Sequence, residues 1–217
     1  MAISVQGFAT LLPPLLDGLW MTLRITAGAA LLAVPLALAA GLARLSSHRW
    51  LSWPALAYVE VFRGTSALVQ LFWFYYVLPL FGLKLPAVTV GIVVLAANAG
   101  AYGAEVVRGA IQAVAVGQRE AAVALNMTPA LAMRRIVLPQ AFPAMLPPAG
   151  NLLIELLKNT ALVSLITITD LTFRGQMLRA ETLRTTEIFL LLLLLYFAVA
   201  LVITAGIRLL ERRFRVR

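Results

Sequence analysis

The sequence predicts an all-α, polytopic membrane protein with about five transmembrane helices. Three observations carry this. Of the 217 residues, 62% are hydrophobic and only 12% charged, with a mean hydropathy of +0.93; soluble domains carry roughly 25% charged residues. The apolar residues come in blocks near the ~20 residues that cross a bilayer as one helix. The arginines gather at the ends of those blocks, the pattern that orients membrane helices. One membrane domain over residues 1–217 fits this length.

The same features exclude other classes. A net charge of +9 and a pI near 11.0 do not indicate nucleic acid, because the cations do not share one face with interleaved aromatics. The chain has no cysteine, so disulfides and thiolate metal sites are excluded. His48, the one histidine, sits beside Arg49 in a short polar loop and reads as a surface residue. No metal site and no cofactor is expected. No removable signal peptide is expected either, since no basic region precedes the first apolar run and no small-residue cleavage site follows it.

The elements follow in order. Residues 1–17 form a lead-in containing Pro13, Pro14 and Asp17. Span one covers 18–43, with Arg24 able to snorkel to the near surface. A short loop at 45–52 leads to span two at 54–80. That span begins semi-polar, YVEVFRGTSALVQ, and turns aromatic, LFWFYY, a composition suited to the water–lipid boundary. A tight loop with Lys84 precedes span three, 87–107, which is rich in small residues and contains Asn98 and Gly100; small residues let helices approach closely in lipid. Residues 108–140 form a long polar loop. Span four, 141–168, is broken early by Pro143, Pro147 and Pro148 and carries Asn151, Glu155 and Lys158. A mixed-charge segment follows, in which Asp170 caps the next helix. Span five covers 188–207, and a basic tail, RLLERRFRVR, ends the chain.

The arginine distribution sets the orientation. Arg44, Arg49, Arg108, Arg119, Arg134, Arg135 and the tail arginines share one side; Lys84 and the mixed segment share the other. Cytoplasmic loops retain Lys and Arg. The long loop and the C-terminus are therefore expected in the cytoplasm and the N-terminus outside.

Residues 117–140, GQREAAVALNMTPALAMRRIVLPQ, are the main interruption between spans. Good helix formers at 119–125 predict a short helix. Asn126 stops it, since Asn tolerates the left-handed conformation that ends helices. Thr128 and Pro129 suit the N-cap and first position of a second helix, which Pro139 is expected to end. Helix, sharp turn, helix, flanked by arginines, reads as an object displayed on a membrane surface for a partner.

This loop resembles the EAA loop of the membrane subunits of bacterial ABC importers: Glu120-Ala121-Ala122, a turn residue at Asn126 where the family usually has Gly, then Ile136, Leu138 and Pro139. Three further stretches resemble the polar amino-acid uptake subfamily: YVEVFRGTSALVQLFWFYYVLP, with Ser66 where that subfamily usually has Pro; AYGAEVVRGAIQAVAVGQREAA; and LLKNTALVSLITITDL. The resemblance implies a type I importer (MetI-like) transmembrane fold in the bacterial cytoplasmic (inner) membrane. It also implies partners: a cytoplasmic ATPase dimer, an identical or homologous second permease subunit, and an extracytoplasmic solute-binding protein delivering a polar amino acid or a related small polar solute (opine, ectoine-like). No GxxxxGK[ST] phosphate loop occurs in the chain, so the chain itself is not expected to be an enzyme and ATP hydrolysis is assigned to a partner.

By the same resemblance, Gly117, Gln118, Glu120, Ala121, Ala122, Leu125, Asn126, Ile136, Leu138 and Pro139 are the ATPase-docking residues. The small side chains of Ala121 and Ala122 let the helix lie close in a groove, and Glu120 near the helix start is favoured by the macrodipole. Substrate-path candidates come from ionisable and polar residues inside spans. Glu155 has Asn151 one turn before it and Lys158 three residues after it, so it either pairs with Lys158 or meets an amino-acid cation. Thr65, Gln70, Asn98, Thr160 and Ser164 are further candidates, each equally suited to helix–helix hydrogen bonds. Glu105 and Arg108 read as a structural i, i+3 pair. The basic tail suits anionic lipid headgroups. The alternative is an ATPase-independent secondary transporter or channel, which would favour an inverted repeat and charges spread over several spans; neither is present.

Overall fold

The structure, a computed structural model, describes residues 5–214, with side chains placed from Leu11 onward. Its described residues form helices and connecting turns. α1 (Val5–Arg44) is followed by α2 (Arg49–Gly64) and α3 (Ala67–Phe72), the latter continuing as a π-helical turn (Trp73–Val77) and a 3₁₀ turn (Leu78–Phe81). α4 (Ala87–Gln112) leads to α5 (Val116–Ala124) and α6 (Pro129–Ala132). A second π-helical turn (Met133–Val137) carries the chain from α6 into α7 (Leu138–Asn159), which tightens to 3₁₀ over Thr160–Ile166. α8 (Leu171–Thr182) and α9 (Thr185–Phe214) complete the fold. Among the described residues four stretches are long and apolar enough to cross a membrane, or five if the bent pair Arg49–Gly64 and Ala67–Phe81 counts as one span.

α4 is the central helix. In its most apolar stretch 56% of residues are buried, against 11% for α9. α1 runs parallel to it, and small residues set the separation. A Cβ added to Gly103 would lie 2.7 Å from Ala37 Cβ, and one on Gly41 2.8 Å from the Ala104 carbonyl oxygen. Such contacts let backbones approach closely in lipid, where packing replaces the hydrophobic effect. The main core joins Ile25, Leu71, Val94, Leu95, Leu156 and Ile166. A second cluster, around Val107, Ile111, Val137 and Met145, sits at the loop end; a third, around Leu15, Leu171, Ile188 and Leu192, sits at the opposite end.

Several expectations are corrected. α1 does not wait for Gly18: helix continues through Pro13 and Pro14. The lead-in's first four residues lie outside the described ones. An interior Pro costs ~3 kcal/mol, but Leu11 and Leu15 bury against Leu171, Ile188 and Leu192, and burying a Leu contributes ~1.5–3 kcal/mol. The expected span 54–80 is not one helix but two, bent by 105° between Gly64 and Ala67. The prolines at 143, 147 and 148 do not break α7, and Pro139 does not end the second loop helix; residues 129–166 run on as one helical stretch. For Pro139 the reason is visible at the π turns. Each directly precedes a Leu-Pro pair, and there the Leu N–H reaches back five residues: Leu78 to the Trp73 carbonyl, Leu138 to the Met133 carbonyl. Widening the turn relieves the clash of the Pro ring with the preceding turn. Asp170 caps α8 as its position predicts, accepting from the Phe173 N–H at 3.0 Å and the Thr172 N–H at 3.3 Å.

Candidate functional site

The loop between α4 and α7 is held by local chemistry. α5 starts at Val116, earlier than the expected 119, and ends at Ala124. Asn126 adopts φ 54. The Asn126 N–H donates to the Val123 carbonyl at 2.9 Å, and the Met127 N–H to the Ala122 carbonyl at 3.0 Å. That pair of bonds is a Schellman motif, which satisfies the orphan carbonyls of the helix end. Thr128 then caps the next helix, its hydroxyl accepting from the Leu131 N–H at 3.4 Å, with Pro129 in the first turn. The turn between two capped helices is therefore stiff.

Two long side chains tie the loop back. Arg119 donates to the Ile111 carbonyl at 2.7 Å, so it caps the end of α4 rather than projecting to a partner. Gln140 donates to Gln118 at 3.2 Å, linking α7 to α5. Gly117, Gln118, Glu120, Ala121, Leu125 and Asn126 are exposed, as is Pro139; Ile136 and Leu138 are half-buried. Ala122 is 1% exposed and faces the protein. Two exposed apolar residues were missed: Val116 (68%) and Val123 (72%). Their seven-residue spacing, two helical turns, was the available signal.

The substrate-path candidates separate into groups. Thr65, Gln70 and Asn98 meet at the break between α2 and α3. The Gln70 amide donates to the Phe62 carbonyl at 2.9 Å, the Thr65 carbonyl at 3.3 Å and the Thr65 hydroxyl oxygen at 2.7 Å. Asn98, from α4, donates to the same Phe62 carbonyl and to the Gln70 side-chain oxygen, both at 3.1 Å. In a bilayer, freed carbonyls must find donors within the protein; these amides supply them. Thr160 and Ser164 are buried and donate to carbonyls of their own helix, Leu157 at 2.6 Å and Ala161 at 2.7 Å.

Glu155 and Lys158 do not pair. Among the described residues the ion pairs are Arg44–Glu105, Arg108–Glu105 and Arg184–Glu187. Glu155 is exposed and lines a narrow crevice of about 10 Å³ between α4 and α7, with Asn98, Tyr102 and Asn159. Asn151 is separated from it: it lines a depression of about 200 Å³ beside Thr204, Arg208 and Glu211 of α9. Tyr102 and Asn159 are the crevice residues that sequence reasoning missed. Tyr102 stands four residues after Asn98, and Asn159 four after Glu155, so helical spacing was the signal.

Comparison with known proteins fits this geometry. The family described as binding-protein-dependent transport system inner membrane component matches residues 33–216. A probable amino-acid ABC transporter permease of Sinorhizobium fredii is 45% identical over 206 residues, covering 92% of this chain and 87% of the relative. The glutamine transport system permease of Escherichia coli is 35% identical, covering 94% of each. A crystal structure of an amino acid ABC transporter with histidines superposes with a TM-score of 0.90 at 39% identity, covering 98% of this chain and 100% of that one. An inward-facing methionine ABC transporter, at 23% identity and a TM-score of 0.76, covers 93% of this chain and 96% of that one and shares the fold. These relatives do not favour an ATPase-independent transporter or channel. The chain belongs to the inner membrane component family of binding-protein-dependent transport systems, as the membrane permease subunit of an ABC importer.

Proposed function

We propose that this permease subunit moves a polar amino acid into the cell, with the α5–α6 loop as the grip for a cytoplasmic ATPase dimer. The observation that carries the reading is the doubly capped turn at Asn126, which presents Val116, Glu120, Val123 and Leu125 on one stiff, exposed unit. Exposed apolar residues rimmed by charge mark interaction sites. A loop that cannot flex transmits a partner's motion into α4 and α7, to which Arg119 and Gln140 tie it. The loop and C-terminus then lie in the cytoplasm and the N-terminus outside, in keeping with the arginine distribution. Residues 1–217 act as one transmembrane domain, paired with a second permease subunit and served by an extracytoplasmic binding protein.

The solute belongs to the amino-acid class because the relatives named above are amino-acid permeases. Glu155 and Asn98 at the α4–α7 crevice offer a carboxylate and an amide to an ammonium group. Glu155 forms no ion pair among the described residues, and an unpaired carboxylate inside a span is costly unless it faces water or a cationic ligand.

Co-purification tests the docking role. Glu120→Lys together with Val123→Glu should reduce the ATPase subunit recovered with the chain by about tenfold, the equivalent of ~1.4 kcal/mol. Undiminished recovery and uptake would remove the loop from the interface. Uptake of labelled amino acids by Glu155→Gln tests the crevice; unchanged affinity and rate would clear Glu155 of any contact.

A further inference from the structure

Between the crevice and the docking loop lies one carboxylate with two guanidinium partners. Glu105 of α4 pairs with Arg44, the last residue of α1, and with Arg108 at 2.8 Å, one turn along α4. Arg108 also donates to Gln112 at 2.7 Å, at the end of α4. The adjacent Ile111 carbonyl takes the bond from Arg119 of the docking loop. In the other direction, Tyr102 stands three residues before Glu105 and lines the crevice, and the Arg63 guanidinium of α2 lies 5.4 Å from the centre of its ring. Polar contacts thus join Arg44, Glu105, Arg108 and Gln112, while Arg119 and Arg63 meet the neighbouring turns of α4.

We infer that Glu105 is the coupling residue: its two ion pairs make the loop ends of α1 and α4 shift as one body when the docking loop is driven. This rests on the reading of the loop as the ATPase grip. Three features support it. The site is only partly exposed, with Arg44, Glu105 and Arg108 at 16%, 21% and 31%, so solvent screens the pairs weakly. The backbones are in contact at this level, where Gly41 of α1 meets Ala104 and Val107, so ion pair and close packing act on the same joint. And among the described residues Glu105 is the carboxylate that pairs with both Arg44 and Arg108, so its loss leaves like charges facing each other. Glu105 is a positioning residue, since it lines neither the crevice nor the exposed face of the loop.

The chain lacks cysteine, so introduced pairs label cleanly. Leu42 of α1 and Ala113 at the end of α4 are both exposed. Spin labels on Leu42→Cys and Ala113→Cys, in the assembled importer in nanodiscs, should keep one separation before and after addition of ATP and vanadate. In Glu105→Gln the starting separation should be the same, and ATP with vanadate should then shift or broaden it. Arg44→Ala should behave as Glu105→Gln, and Arg44→Lys as the parent. If Glu105→Gln holds its separation throughout, the inference fails. If Glu105→Gln differs already without nucleotide, the cluster only holds the resting structure and the coupling role is overturned. The docking reading fails separately, if the ATPase subunit does not co-purify with the parent chain.

Discussion

Gln70 and Asn98, twenty-eight residues apart in sequence, bond through their side-chain amides at 3.1 Å and together supply two donors to the Phe62 carbonyl. The bend between α2 and α3 exists because these amides satisfy the backbone that the break sets free. Gln70→Leu removes the donor to the Phe62 and Thr65 carbonyls and the acceptor of the Asn98 amide, leaving Phe62 with Asn98 as its side-chain donor. It should lower stability by ~1–3 kcal/mol. Asn98→Ala, which leaves the Gln70–Phe62 bond in place, should cost less. Thermal melting in nanodiscs compares them; equal losses would mean the two amides do not share the work as described.

Glycine contacts give a prediction with a built-in control. A Cβ on Gly18 would sit 2.8 Å from both the Asp170 carbonyl oxygen and Leu171 Cα. Backbone atoms cannot rotate away, so Gly18→Ala should separate α1 from the start of α8 and lower the melting temperature. A Cβ on Gly109 of α4 would meet nothing within 4 Å. Gly109→Ala should therefore be neutral or stabilising by up to ~1 kcal/mol, the helix-propensity gain. A destabilised Gly109→Ala would expose an unseen neighbour.

The turn at Asn126 makes a conformational prediction. Its φ of 54 lies in the left-handed region, where a β-branched residue is disfavoured. Asn126→Gly should be tolerated in both ATPase recovery and uptake. Asn126→Val should cost ~1–3 kcal/mol locally and reduce both. Equal behaviour would refute the assignment of the turn as the stiff joint.

Asp170 lies between α7 and α9, outside the spans, and is fully buried. Burial pushes its carboxyl up to about 6 from the usual 3.8, while the N–H groups of Phe173 and Thr172 pull it partly back. The folded state thus holds a proton that the unfolded state releases. The resulting stability is present below pH ~4 and is lost as pH rises through about 6. Asp170→Asn keeps a cap acceptor and cannot ionise. It should gain on the parent above pH 6, by at most ~3 kcal/mol, and the difference should shrink toward pH 4. Parallel melting curves from pH 4 to 8 would contradict this.

What could be read in the sequence was local. Asn126, Thr128 and Asp170 act on backbone within three residues of themselves, so residue type and spacing predict their roles. The bend at Thr65 was not legible, because its partner Asn98 arrives from α4 and only the fold brings it there. Pro13 and Pro14 read as a lead-in because the residues that outweigh them, Ile188 and Leu192, lie at the other end of the chain. Glu155 and Lys158 have pairing spacing, yet form no ion pair; spacing sets reach, and the neighbours set direction. Ala122 matched a motif by identity while its side chain turned inward, since a pattern of residue types does not say which face of a short helix is covered.

The π turn at Met133–Val137 has a geometric consequence. It carries one residue more than an α-helical turn would need, and each residue of an α-helix advances the face by about 100°. The number of residues between Thr128 and Pro139 therefore works as an angular setting. It fixes which way the exposed side of α5 points around the axis of α7. Substitutions within the turn leave that heading intact, whereas the loss of a single residue there would rotate the whole grip by more than a quarter of a circle and leave its chemistry unchanged.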